Sequence, residues 1–225
     1  MELYYLKIIT GLVVSYFLGS IPTAYVFGKI YKGVDLRQHG SGNMGATNAF
    51  RILGKAIGTS VLILDISKGT LAVLLAGLFF YASTPHISKN LYLCLAAITA
   101  VCGHNWTIFL KFKGGKGIAT SLGGLIGFSI LIDKFAYVCI IIVALWLIIF
   151  LSSGFVSLAS SICSIFLPIL GTIFHLPLEI ILFLTLLCFF SLIKHKSNIY
   201  RLLQKKESRF NTKKFLSKLI GKTLS

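Results

Sequence analysis

Acidic residues are scarce in this sequence. Only six of its 225 residues are Asp or Glu, and charged residues of both signs make up 12% of the chain. An ordinary soluble domain carries about a quarter charged residues. Hydrophobic residues instead make up 56% of the chain, and they lie in long runs. The shortage of charge therefore excludes a soluble globular domain and predicts an integral membrane protein.

Cysteine is also sparse and unpatterned. The five cysteines lie in apolar segments without any C-x-x-C pair, at Cys94, Cys102, Cys139, Cys163 and Cys188. This spacing gives no metal-binding pattern, and we interpret the thiols as small buried hydrophobes and predict no disulfide. His104 and His195 have no second His, Cys or carboxylate at ligand spacing. The sequence therefore predicts neither a metal site nor a bound cofactor.

The positive charge has a particular placement. The 22 Lys and Arg residues give a net charge of +16, and they flank the apolar runs and fill the C-terminal segment. Attraction to anionic lipid accounts for this placement more simply than nucleic-acid binding. We therefore expect membrane lipids, and no nucleic acid, among the partners.

The apolar runs predict an all-α protein with about seven transmembrane helices, since a helical span needs roughly 20 apolar residues. The fourth run is short and rich in glycine, so a re-entrant or tilted segment is an alternative there. Cytoplasmic connections are enriched in Lys and Arg, which predicts an external N-terminus and a cytoplasmic C-terminus. We divide the chain into a transmembrane domain (1–195) and a basic amphipathic tail (196–225) on the membrane surface. The predicted spans are 3–30, 56–81, 91–112, 118–132, 135–151, 155–174 and 177–193.

Two glycine-rich polar loops lie between these spans on the predicted cytoplasmic side. The first loop is GSGNMG at 40–45 and the second loop is KGGKG at 113–117. Successive N–H groups in such turns form concave anion sites, and glycine lacks the Cβ that would keep a phosphate away. Arg37 and Lys116 each bring a cation to one loop. The two loops therefore predict phosphate chemistry at a membrane surface.

Two common phosphate motifs do not fit these loops. The first loop reads G-x-G-x-x-G, but no buried strand precedes it and Asp65, the acid that follows, lies inside an apolar run. The second loop lacks the Gly and the Ser or Thr of a Walker A motif, because Leu110 and Gly117 occupy those positions. A flexible polar turn and a basic membrane edge are the structural alternatives for the two loops.

The first two spans contain polar residues of their own. Ser20 precedes Pro22, whose missing N–H can kink the first span. A hydroxyl that bonds back to its own helix is the structural alternative for Ser20. Asp65 and Lys68 lie one turn apart in the second span, and we interpret them as a structural brace.

Two histidines lie near the same membrane face as the loops. His104 ends the third span, while His195 follows the seventh and shares a helix face with Asn198. A lone histidine usually has a structural role. Two histidines close to two anion loops favour a functional one.

Taken together, these segments resemble the bacterial membrane acyl-phosphate:glycerol-3-phosphate acyltransferase family. The resemblance extends from residue 19 to about residue 207. It is carried by five segments in a fixed order on one predicted membrane face: GSIPT at 19–23, GSGNMGATN at 40–48, GH at 103–104 with FLKFKGGKGIAT at 109–120, SLAS at 157–160, and HKSNIYRLL at 195–203.

This resemblance implies transfer of a fatty acyl group from acyl-phosphate to the 1-hydroxyl of glycerol 3-phosphate, giving lysophosphatidate (1-acylglycerol 3-phosphate) and inorganic phosphate. It also implies a role in phospholipid biosynthesis, a functional link to the enzyme that produces acyl-phosphate, and a site on the cytoplasmic face of the bacterial inner membrane. Soluble-type glycerolipid acyltransferases use a His-x4-Asp pair. None of the five histidines here is followed by Asp at that spacing, which excludes that chemistry.

The hypothesis assigns a role to fifteen residues. Arg37 and Lys116 supply phosphate charge, and Ser20, His195 and Asn198 complete the catalytic set. No side chain stands out as a base, so the phosphate of the substrate is our candidate proton acceptor. The predicted substrate-binding residues are Gly40, Ser41, Gly42, Asn43, Asn48, His104, Gly114, Gly115, Gly117 and Ser157.

Two other functions fit part of this pattern. A transporter of a phosphorylated metabolite also needs cytoplasmic cations and broken helices, but the sequence lacks the internal repeats that such proteins usually show. A non-catalytic membrane scaffold leaves the glycine loops unexplained.

Overall fold

The protein folds as a bundle of α-helices. The computed structural model describes residues 2–81, 87–132 and 134–212, and every regular element in these ranges is helical. This confirms the all-α prediction. Two 3-10 turns cover Leu36–Gln38 and Ile108–Leu110, and the α-helices are α1 (Glu2–Ser20), α2 (Thr23–Lys32), α3 (Ala46–Leu53), α4 (Lys55–Tyr81), α5 (Lys89–Asn105), α6 (Ile118–Leu131), α7 (Phe135–Ser153), α8 (Val156–Ile173) and α9 (Leu178–Leu203).

Six helical stretches of the described chain are long and apolar enough to cross a membrane. The fourth predicted span corresponds to α6, which has only 14 residues. At 1.5 Å per residue it is about 21 Å long, which is shorter than the roughly 30 Å of a hydrocarbon core. The structure therefore has a shorter apolar helix where the fourth span was predicted. The six long stretches are Tyr5–Lys32, Lys55–Phe80, Lys89–Leu110, Phe135–Ser153, Val156–Ile173 and Leu178–Leu203.

The first predicted span is broken at Pro22, where α1 ends and α2 begins. Proline has no N–H to continue a helical ladder, and the amide of Ile21 turns back to the Leu18 carbonyl at 3.3 Å. The Ile21 carbonyl receives the Lys68 ammonium from α4 at 3.0 Å. The break is thus held by a side chain of another helix.

Glycine allows α4 and α6 to pack with their backbones in contact. A Cβ on Gly69 would lie 2.1 Å from the Thr120 carbonyl oxygen, and a Cβ on Gly123 would lie 2.0 Å from the Ile66 carbonyl oxygen. No larger residue fits at either position. The start of α6, just after the second loop, is therefore fixed against α4.

The helix α9 is longer than its predicted span, which ended at residue 193. It continues to Leu203, so His195 and Asn198 lie on its last turns and the proposed domain boundary at 195/196 falls inside it. Lys194 donates to the Asn105 carbonyl at 2.7 Å and lies 4.4 Å from the centroid of the Trp106 ring. This contact joins α9 to the end of α5. The rest of the predicted tail, residues 213–225, lies outside the described residues.

The apolar core has two parts. In the larger part, the Phe128 ring lies 5.2 Å from both the Phe135 and the Phe183 rings. The smaller part lies beneath the first loop and includes the buried side chains of Leu36 and Met44. The first loop therefore packs against a small apolar core of its own.

Candidate active site

The first loop turns sharply at two glycines. Gly40 and Gly42 have φ values of +63° and +68°, a left-handed conformation that glycine adopts without strain. The amide of Gly42 donates to the His39 carbonyl at 3.1 Å. Ser41 is exposed and Asn43 is half-buried, so both lie at the accessible edge of the loop.

Asn48 holds this loop from below. Its side chain is fully buried. The amide nitrogen donates to the carbonyls of Leu36 and His39 at 3.2 and 3.0 Å, and the amide oxygen accepts from the Ser41 N–H at 3.0 Å. Because these bonds use both ends of the amide, the structure gives Asn48 a place in the scaffold of the loop instead of at its surface.

Arg37 is paired with a neighbour in sequence. Its Nη2 lies 2.6 Å from Asp35 Oδ2, its Nε donates to the same carboxylate, and the guanidinium lies 5.4 Å from the centroid of the Tyr25 ring. The hydrogen bond from Arg37 lowers the pKa of Asp35, so the carboxylate stays charged. The acid neutralises the cation that we assigned to phosphate binding.

Another arginine lies closer to the second loop. Arg51 is on α3, which begins directly after the first loop, and it follows Asn48 by three residues on the same helix face. Its Nη2 donates to the Ser208 carbonyl at 3.4 Å. Partial burial lowers the pKa of Arg51, and the charge of Glu207 opposes this shift. The sequence reasoning missed Arg51, although its position on the helix that leaves the first loop was a usable signal.

The second loop is folded against the end of α5. The amide of Gly114 donates to the Asn105 carbonyl at 3.3 Å, and that of Gly115 donates to the His104 carbonyl at 3.0 Å. A Cβ on Gly114 would lie 2.0 Å from the His104 carbonyl oxygen. These two glycines therefore serve close packing, and their N–H groups are already used. Gly117, with φ of +78°, is the N-cap residue that directly precedes α6.

Lys116 extends from this loop into a cluster of charged and polar side chains. Its ammonium donates to the side-chain oxygen of Asn198. Burial lowers the pKa of Lys116 to about 8; the Glu207 carboxylate opposes this shift, and the charges of Arg201 and Arg51 add to it. The loop thus places one half-buried ammonium among groups from α3, α9 and the segment after α9.

Glu207 is at the centre of that cluster. Its carboxylate accepts hydrogen bonds from Ser157 Oγ at 2.9 Å, Asn198 Nδ2 at 2.6 Å and Arg201 Nε at 2.8 Å. Its side chain is 7% exposed. Burial alone would raise the pKa of Glu207, but these hydrogen bonds and the charge of Arg201 lower it. Ser157 is in the first turn of α8, where the helix dipole also favours an anion.

The sequence reasoning did not assign a role to Glu207 either. It is the only acidic residue after Glu179, and this isolation among lysines was the available signal.

His195 lies one helical turn before Asn198 and is 3% exposed. Its Nδ1 is 2.9 Å from the Ser191 carbonyl oxygen. A carbonyl can only accept, so Nδ1 carries the proton in the neutral ring and Nε2 is left as an acceptor. His195 can therefore receive a hydrogen bond from a hydroxyl group.

Ser20 lies in a different place from the Lys116 cluster. It is fully buried, and its hydroxyl oxygen has no hydrogen-bond partner among the described residues. Together with His104, Gly114 and Gly115 it lines a small cavity of about 10 Å³ beneath the second loop. The structure thus separates the predicted residues. Lys116, Asn198, Ser157 and His195 come together, Ser20 and His104 lie below the loop, and Arg37 pairs with Asp35.

No group of three or more potential metal ligands occurs among the described residues.

Comparisons with known proteins agree with one another. A family profile described as "Glycerol-3-phosphate acyltransferase" matches residues 9–205. Glycerol-3-phosphate acyltransferase of Bacillus subtilis is 40% identical over 198 residues, which cover 88% of this chain and 95% of the relative. The corresponding protein of Prochlorococcus marinus (strain MIT 9515) is 42% identical over 206 residues, covering 89% and 96%.

A solved structure is also similar. The crystal structure of PlsY, an integral membrane glycerol 3-phosphate acyltransferase in its glycerol 3-phosphate form, aligns with a TM-score of 0.82 and 35% identity. The alignment covers 93% of this chain and 98% of that one.

Proposed function

We propose, since the chain belongs to the glycerol-3-phosphate acyltransferase family, that it acylates the 1-hydroxyl of glycerol 3-phosphate with acyl-phosphate as the donor. It is an integral membrane acyltransferase with an all-α fold. In the proposed reaction the acyl C–O bond to phosphate breaks and an ester C–O bond to glycerol forms. The hydroxyl proton goes to phosphate, and the products are lysophosphatidate and inorganic phosphate.

The observation that carries this proposal is the convergence on Lys116. The half-buried ammonium of Lys116 meets the buried amide of Asn198, and its charge also acts on the buried imidazole of His195, one turn earlier on α9. Charge of this kind in a partly desolvated site binds phosphate more strongly than it would in water. The arrangement suits two phosphorylated substrates and one reacting hydroxyl.

We assign the phosphate charges to Lys116 and Arg51. Arg51 replaces Arg37 in this role because the Arg37 guanidinium is occupied by Asp35. The exposed edge of the first loop, with Ser41 and Asn43, supplies further contacts to a phosphate. In the second loop the amides of Gly114 and Gly115 donate to α5. Those of Lys116 and Gly117 have no hydrogen-bond acceptor among the described residues and are our candidates for contacts to a phosphate.

Positioning is the main source of catalysis in this proposal. Phosphate is already a good leaving group, so no covalent enzyme intermediate is needed, and orientation with charge stabilisation can supply the rate. Nε2 of His195 accepts from the glycerol hydroxyl and orients it, while Ser157 and Asn198 hold polar oxygens of the substrates. The phosphate dianion of the substrate takes the proton. Glu207 keeps Arg201 and Asn198 in place as their counter-charge and hydrogen-bond partner.

We also propose that this site faces the cytoplasm of a bacterial inner membrane, with the N-terminus outside. The distribution of Lys and Arg supports this orientation. An acyl-phosphate is reactive and amphiphilic, so an enzyme that produces it at the same membrane face is the expected functional partner.

The test uses the purified protein in detergent with acyl-phosphate and glycerol 3-phosphate. We expect stoichiometric release of inorganic phosphate and lysophosphatidate. Parallel reactions with acyl-CoA and with acyl carrier protein as donors test the choice of donor. Lysophosphatidate from acyl-CoA alone would overturn the donor, and no product with any donor would overturn the enzyme assignment.

A further inference from the structure

A group of buried polar side chains lies beneath the second loop and takes no part in the chemistry proposed above. Asp65, Lys68 and His104 are 1%, 5% and 7% exposed. Ionisable groups inside membrane spans are costly and face partners within the bundle. The contacts of these three buried side chains indicate the role that they have.

These side chains are joined to one another and to the break between α1 and α2. Asp65 Oδ1 accepts from Thr23 Oγ1 at 2.7 Å and from Lys68 Nζ at 2.8 Å. The same oxygen lies 3.6 Å from His104 Nδ1. Lys68 also donates to the Ile21 carbonyl. The network thus fixes α1, α2, α4 and α5 relative to one another.

His104 carries the network to the second loop. Its carbonyl accepts the Gly115 N–H at 3.0 Å. Its ring lies directly against the same residue, since a Cβ on Gly115 would lie 2.1 Å from His104 Nε2. An unbroken series of contacts therefore runs from Asp65 to the residue that precedes Lys116.

The helix that bears Asp65 and Lys68 also fixes the other end of the loop. The backbone of α4 contacts that of α6 at Gly69 and at Gly123, within two turns of the point where the loop ends. Both ends of the second loop are thus held in position by α4. One end is held through His104, and the other through the direct packing of α6 on α4.

We propose that Asp65, Lys68 and His104 are positioning residues that hold the second loop in place and thereby set the location of Lys116. Each acts through the loop and none needs to contact a substrate. The part of this inference that concerns phosphate binding rests on the function proposed above. The part that concerns the loop does not.

Hydrogen–deuterium exchange of the full chain in detergent tests the structural part without any substrate. In Asp65→Asn, we expect the amides of Gly114 and Gly115 to exchange at least about tenfold faster, because local opening of the loop exposes them. The peptides of α8 should keep their wild-type rates. Glu179→Gln, an acid-to-amide change at the other end of the bundle, is the matched control and should leave the loop unchanged.

Two results would overturn the proposal. One is a folded Asp65→Asn protein whose loop exchanges at the wild-type rate. The other is an equal acceleration in every helix, which would show a general role in stability. If Asp65→Asn does not fold, Thr23→Val tests the same network by removing one hydrogen bond to Asp65. Faster exchange confined to the loop would then support the proposal, and an unchanged loop would contradict it.

Steady-state kinetics test the link to Lys116. A displaced Lys116 should raise KM for glycerol 3-phosphate or for acyl-phosphate about tenfold in Asp65→Asn, with a smaller change in kcat. A loosened loop with both KM values unchanged would contradict the positioning of Lys116. Wild-type protein that forms no lysophosphatidate would refute the proposed function, and the exchange experiment would still decide the role of the network.

Discussion

Lys116 donates a hydrogen bond to the side-chain oxygen of Asn198, a residue 82 positions later in the chain. The contact joins the second glycine loop to the last turns of α9. It places a loop cation and a helix amide at one point, where Glu207 accepts from the nitrogen of the same amide.

Replacing Lys116 should abolish most of the activity without unfolding the protein. Lys116→Gln removes a half-buried cation from the proposed phosphate site, and we expect kcat/KM to fall by at least about 100-fold, the scale seen when a charge-stabilising group is lost. Lys113→Gln changes an exposed lysine of the same loop and should stay within about threefold of wild type. Similar losses in both variants would show that only the net charge of the loop matters.

The activity should decline as the pH rises through the pKa of Lys116, which burial lowers to about 8. The unfolded chain keeps this proton up to its ordinary pKa, so between about pH 8 and 10.5 the folded form has lost a proton that the unfolded form retains. The protonated form of Lys116 therefore lowers the free energy of unfolding below pH 8. This loss of stability disappears as the pH rises from about 8 to 10.5. The profile of kcat/KM reports the free enzyme. Its alkaline limb should move upward in Lys116→Arg, and an identical limb in both proteins would assign that pKa to another group.

The two arginines near the first loop should respond differently to substitution. Arg51→Gln removes a charge that acts on the Lys116 cluster, and we expect a loss of about 100-fold in kcat/KM. Arg37→Gln breaks a pair with Asp35 at the surface, and the expected loss is about threefold or less. Measurements of kcat/KM at low and high ionic strength would check both. A severe loss in Arg37→Gln alone would restore the assignment made from the sequence.

Glu207 should prove important for the stability of the site. Glu207→Ala leaves Ser157, Asn198 and Arg201 without their shared acceptor. Ser157 and Asn198 are buried, and an unpaired buried donor costs roughly 1–3 kcal/mol, so the midpoint of thermal unfolding in detergent should fall. Arg201, whose side chain is 40% exposed, can hydrogen-bond to water and should add little. Glu207→Gln keeps an oxygen acceptor and should fall less. Wild-type stability of Glu207→Ala would show that these contacts contribute little.

The parts of the fold that depend on one segment at a time could be predicted from the sequence. A span must satisfy its own backbone hydrogen bonds and match the membrane thickness, so length and composition alone identified seven apolar runs, six of which correspond to helices long enough to cross a membrane. Pro22 acts on its helix for a local reason, and the structure has a full break at the residue where the sequence predicted a kink. The length of α9 was underestimated, because a helix continues past the membrane edge wherever its polar turns find partners.

The candidate site depends on contacts between distant segments, which a sequence pattern does not contain. Arg37 and Arg51 are equally basic in sequence, and only the turn before the first loop decides that Arg37 pairs with Asp35. The glycines of the second loop were interpreted as an anion cradle. Gly114 and Gly115 turn out to donate their N–H groups to α5, a use that depends on where α5 ends.

The packing of the second loop on α5 leads to a last prediction. In Gly114→Ala, the new methyl group would lie 2.0 Å from the His104 carbonyl oxygen. That oxygen belongs to the backbone of α5, so it cannot shift without distorting the end of the helix. The loop must shift, so we expect KM for a phosphorylated substrate to rise about tenfold with a smaller change in kcat. Gly124→Ala is the matched control, because its methyl group would meet Ala97 Cβ at an ordinary 3.4 Å. Steady-state kinetics of both variants, with the unfolding midpoint as a check on folding, decide the matter. Unchanged KM values in a folded Gly114→Ala protein would show that the loop tolerates displacement, and the loop could then not be what positions Lys116. An equal rise in KM in Gly124→Ala would show that the effect is not specific to the loop.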